Sequence, residues 1–99
     1  MNSQLEMNIA GRVVDALMAA GYTIGVNDGE ELTVRRSTDR AEIMGALGTT
    51  GEDYVIAYDA ETGKKVGWVW LIWGNDEDLI TDHTVNLTPI IDPILDALE

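Results

Sequence analysis

The sequence predicts an α+β fold, an antiparallel sheet of about four strands (two hairpins) packed with N-terminal, central short and C-terminal helices. Three observations carry that reading: apolar residues recur every three or four positions in some segments, alternate in others, and Gly, Asn and Asp collect between the alternating ones. The resulting order, α-β-β-α-β-β-α, is that of an antiparallel sheet with helices laid on it. A chain of 99 residues has room for one core and not for two, so residues 1–99 are read as a single domain.

The first helix is expected from about Ser3 to Ala20. Leu5, Ile9, Val13, Leu17 and Ala20 stand three or four residues apart, and Gly21 follows as a C-terminal stop. Met7, Ala10, Val14 and Met18 widen the apolar stripe and leave Glu6, Asn8, Arg12 and Asp15 as the polar side. So wide a stripe is either well buried or partly given to a partner. Tyr22 to Val26 and Leu32 to Arg36 then flank Asn27-Asp28-Gly29-Glu30, a turn sequence that joins a hairpin. Asp39 and Glu42, at capping-box spacing, precede Ile43, Met44 and Leu47, and Gly48 ends a short helix placed at about Asp39 to Leu47.

Asp53 to Tyr58 and Lys65 to Trp73 form the second predicted hairpin, across the turn-rich segment Asp59 to Lys64. On its last strand Val66, Trp68, Trp70 and Ile72 point one way, and Val69, Leu71 and Trp73 the other. A strand apolar on both faces is central in a covered sheet, or sets one face against another chain. Trp68 and Trp70 are expected to fill a core that has no Phe, while Trp73, beside an acidic segment, is open to core or surface. After Gly74 an acidic loop leads to Asn86. Thr88-Pro89 or Asp92-Pro93 then begins a C-terminal helix with Ile90, Ile91, Ile94, Leu95 and Leu98 on its apolar face.

Eighteen acids face six bases, for a net charge of −12. From Val66 to Glu99 the acids Asp76, Glu77, Asp78, Asp82, Asp92, Asp96 and Glu99 meet no Lys or Arg. Such a surface repels nucleic acid and anionic membrane and draws in basic partners. The absence of cysteine excludes disulfides and thiolate metal sites and is compatible with a reducing compartment. The longest apolar run, Val66 to Trp73, falls far short of the roughly 20 residues of a membrane span, and the first residues hold no apolar signal core. A cytoplasmic, unexported protein is expected.

Candidate chemistry is sparse. His83 lies beside Asp82, but sequence neighbours on a strand point apart, and a lone His in an acidic loop reads as solvated. Asn75 to Asp78 with Asp82 lack the alternate spacing, central Gly and terminal Glu of a calcium loop. Ser37 sits in a helix cap with no nucleophile elbow around it. The glycines from Gly45 to Gly51 follow a helix and carry no phosphate-loop Lys, while Arg35, Arg36 and Arg40 read as partners for nearby acids. No catalytic residue, metal site or cofactor is expected.

The run Val66-Gly-Trp-Val-Trp-Leu-Ile-Trp-Gly-Asn-Asp-Glu-Asp-Leu-Ile-Thr-Asp-His-Thr-Val-Asn-Leu87 resembles a stretch found in small uncharacterised proteins of phages and mobile elements. That resemblance implies a setting in which acidic proteins inhibit host defence enzymes, as anti-CRISPR and anti-restriction inhibitors do. It carries over no residue role. With the charge, it leads to the expectation of a non-enzymatic, DNA-mimicking inhibitor. Asp76, Glu77, Asp78 and Asp82, with Trp73 and helped by Asp53 or by Asp92 and Asp96, would occupy a basic nucleic-acid-binding surface of a nuclease or effector complex. Two other readings stay open: an immunity protein neutralising a basic toxin nuclease, and a structural or assembly protein that dimerises through the first helix or the Trp-bearing strand.

Overall fold

The computed structural model describes residues 3–98. Its elements run α1 (Gln4–Ala19), β1 (Tyr22–Asn27), β2 (Leu32–Ser37), α2 (Arg40–Ala46), β3 (Glu52–Asp59), β4 (Lys65–Ile72), β5 (Ile80–His83) and α3 (Thr88–Asp96), with short 3-10 turns at Asp76–Asp78 and Val85–Leu87. The strands form one antiparallel sheet in the order β2-β1-β3-β4-β5. This is the predicted α+β class with a fifth strand. β5 occupies part of what reads as an acidic loop, pairing Ile80 with Leu71 and His83 with Val69.

Local chemistry explains where the elements start. Ser3 caps α1 by accepting from Glu6 N, and Glu6 returns the bond to Ser3 N. At α2, Asp39 accepts from Ala41 N and Glu42 N. Glu42 does not close the box on Asp39. Its carboxylate accepts from Ser37 Oγ at 2.6 Å, and Ser37 Oγ accepts from Asp39 N at 3.0 Å, so the serine relays the contact. Asp28 and Asp59 fold the two hairpin turns by accepting from the backbone N–H groups two and three residues on. α3 begins at the Thr88-Pro89 alternative, and Pro93 lies inside the helix.

Directly opposed residues share a face. Ile24, Val26, Val55, Ala57, Val69 and Leu71 turn to the helices and join Ile9, Val13, Leu17, Ile43, Leu79, Leu87 and Ile91 in one buried cluster. Tyr54, Ile56, Tyr58, Trp68, Trp70 and Ile72 take the other face and belong to no part of that cluster. The expectation that Trp68 and Trp70 fill the helix-packed core is therefore corrected. The helices pack on the face of Ile24, Val26, Val55, Ala57, Val69 and Leu71, with Thr84, Asn86 and Leu87 close over Gly67, and the indoles are left on the side without helices.

β2 carries a bulge that shapes this open face. Arg35 and Arg36 stand opposite Gly25 alone, between the pairs Ile24–Ser37 and Val26–Val34, and Arg36 takes φ 42°. Gly25 is required there, because a Cβ would lie 2.7 Å from the Tyr58 ring and 3.1 Å from the Val34 carbonyl oxygen.

Candidate functional site

Glu6 was expected on the polar side of α1, yet it is 1% exposed. Its Oε2 accepts from the backbone N–H groups of Gly74 at 2.7 Å, Asn75 at 3.0 Å and Asp76 at 3.1 Å, while Oε1 accepts from Ser3 N at 3.1 Å. Three consecutive amides converge because the turn enters positive φ at Gly74 (97°) and Asp76 (53°), forming an anion-binding nest filled from within the chain. Burial pushes the Glu6 carboxyl up. The N–H groups of Ser3, Gly74, Asn75 and Asp76 outweigh it and hold the pKa below its usual 4.5.

The consequence is a fixed acidic turn. Asp76, Glu77 and Asp78 form the 3-10 turn that follows the nest, and all three are exposed. The ion pair found among the described residues, Arg40 Nε to Asp15 Oδ1 at 2.7 Å, lies elsewhere. Glu77 and Asp78 also border an open groove of about 440 Å³, lined as well by Leu95 of α3 and by Leu98 just beyond that helix.

The remaining candidates do not gather there. Asp82 is exposed on β5 opposite Trp70, on the open sheet face. Asp53 is 0% exposed, which takes it off any surface a partner could reach. Its Oδ2 accepts from Gly48 N and from Trp73 Nε1, both at 2.8 Å, while Oδ1 is buried without a partner. Burial raises the Asp53 pKa above its usual 3.8, against the lowering effect of those two donors. Trp73 packs against the core, half-buried, as the donor of that pair. Asp92 and Asp96 are exposed on α3, and Glu99 lies outside the described residues.

The open sheet face is the second feature. The Tyr54 ring stacks on Trp70 (5.6 Å between centroids, 4° between planes) and meets Trp68 edge-on (5.7 Å, 82°). These rings leave Ile56 5% exposed although no helix lies over it. Arg36 sits 6.0 Å above the Tyr58 ring. Asn27, Gly29, Tyr54, Ile56, Lys65 and Trp68 line a shallow depression of about 310 Å³.

His83 is half-buried and held locally, its Nδ1 3.0 Å from the Thr84 carbonyl oxygen. Among the described residues no group of three or more His, Asp or Glu is placed to hold a metal ion, and no helix is long and apolar enough to cross a membrane. No family model matches this sequence, and neither a curated protein nor a solved structure matches it.

Sequence reasoning missed Glu6 as the organiser of this site. Ser3 and Glu6 do stand at capping-box spacing, a visible signal that a carboxylate here is not free on the helix surface. Its reach to Gly74, across 68 positions, has no local signature.

Proposed function

We propose that this chain is a non-enzymatic acidic binding protein that inhibits a nucleic-acid-binding partner by occupying a Lys/Arg-lined surface with Asp76, Glu77 and Asp78. The supporting observation is the nest: Glu6 fixes the backbone that carries these three exposed acids. A preorganised charge row loses little conformational entropy on binding and steers a basic partner at long range. Asp82 lies on the sheet face and serves the approach field rather than the contact itself. Host defence nucleases and effector complexes, or a basic toxin nuclease in the immunity reading, are the partner class that this electrostatics suits.

Charge reversal tests the reading. Asp76→Lys, Glu77→Lys and Asp78→Lys together are expected to abolish inhibition of DNA binding by a susceptible nuclease or effector complex, while far-UV circular dichroism stays unchanged. Complex formation by the unaltered chain should weaken steeply between low and high salt. Inhibition that survives the triple reversal would sink the proposal.

A further inference from the structure

The aromatic sheet face has a charge layout that selects its occupant. Along β3 and β4, Tyr58 pairs with Lys65 at one end and Glu52 with Ile72 at the other. Arg36 adds a second base over Tyr58. Asp82, opposite Trp70, adds a second acid nearer the Glu52 end. The rings of Tyr54, Trp68 and Trp70 and the side chain of Ile56 lie between. Bases therefore collect at one end of this face, while Glu52 and Asp82, together with Asp28, Glu30 and Glu31 of the β1–β2 turn, collect toward the other.

Such a surface is complementary to itself when turned end for end. We propose that it is the contact between two copies of this chain, packed sheet on sheet around a two-fold axis that runs across the strands. The axis reverses strand direction, so Lys65 of each copy meets Glu52 and Asp82 of the second copy, and Arg36 meets the acidic turn at Asp28 to Glu31. Aligned packing of two twisted sheets at about 30° accommodates this arrangement. Two-fold interfaces require a patch that fits itself.

The size suits a small interface. Strands β1 to β4, six to eight residues each, outline roughly 450 Å², at the low end of the range for specific contacts. Tyr54, Trp68, Trp70 and Ile72 are part-exposed there, a patch of the size that is the largest on a typical monomer and is often functional. Edge-to-edge pairing is the poorer route, because β2 is bulged at Arg36 and β5 spans only Ile80 to His83.

Sedimentation of the full chain over a concentration series tests the proposal and is independent of any basic target. A dimer is expected, and it should strengthen as salt screens the repulsion between two acidic chains, opposite to the salt response of binding to a basic partner. Lys65→Glu should weaken self-association about tenfold by setting like charges together. Adding Glu52→Lys and Asp82→Lys should restore it. Trp68→Ser should give a monomer. If that variant fails to fold, the charge-swap series still decides, since its substitutions lie at the rim of the face. A monomer at every salt concentration, or a dimer indifferent to Lys65→Glu and its rescue, would overturn the proposal.

Discussion

Trp73 donates its indole N–H to Asp53 at 2.8 Å and closes the end of β3 and β4 over a carboxylate that water does not reach. Both residues read as surface candidates from the sequence, and in the fold they bond to each other through Asp53 Oδ2, while Oδ1 stays buried without a partner.

The pair sets a pH response. Burial lifts the Asp53 pKa above its usual 3.8, so the folded chain holds this proton more tightly than the unfolded one. Its contribution is most favourable below 3.8, and stability falls as pH rises through the folded-state value. Asp53→Asn keeps an oxygen to accept from Gly48 N and Trp73 Nε1 while removing the charge. Urea denaturation should show the variant gaining on the native chain from acid to neutral pH. A stability difference constant across that range would contradict the assignment.

Glu6 has the opposite sign. Its folded-state pKa lies below the usual 4.5, so its contribution is fully present above 4.5 and is lost as pH falls through the lower folded-state value. Glu6→Ala leaves the Gly74, Asn75 and Asp76 amides without their acceptor and should cost about 3 kcal/mol at neutral pH. Hydrogen exchange at those three amides should accelerate well beyond that of the β3 and β4 amides. Equal acceleration everywhere would mean global destabilisation instead.

Gly25 and Tyr58 should be coupled. Gly25→Ala drives a Cβ into the Tyr58 ring, and overpacking of this kind costs about 1–3 kcal/mol. Tyr58→Ala in the same chain should recover part of that loss, the remainder reflecting the Val34 carbonyl oxygen at 3.1 Å. Additive effects in a thermal-melt double-mutant cycle would refute the contact.

Most of the fold was legible because its signals are local. The Leu5 to Leu17 spacing, Gly21, the turn around Asp28 and Gly29, the Asp39 cap and Thr88-Pro89 all act within a few residues. β5 escaped because Ile80 to His83 is four residues long with two of them exposed, and its identity as a strand comes from pairing with β4. The side taken by Trp68 and Trp70 escaped for a related reason. A strand apolar on both faces does not say which one the helices cover, and that choice is made by residues distant in sequence, as where Thr84, Asn86 and Leu87 close over Gly67. Of the site, the acids Asp76 to Asp78 stood out by charge, whereas Glu6, which orders them, acts over a distance in sequence that no pattern spans.

That distance bears on the order of events as the chain folds. The α1 residue that fills the nest and the turn that forms it lie 68 positions apart, and closing so long a loop carries an entropy cost that assembly of the sheet between them reduces. Without the contact to Glu6 the backbone that carries the three acids has no acceptor for its converging amides. On the reading proposed above, a partner that reads their spacing would recognise the finished molecule and pass over the nascent chain.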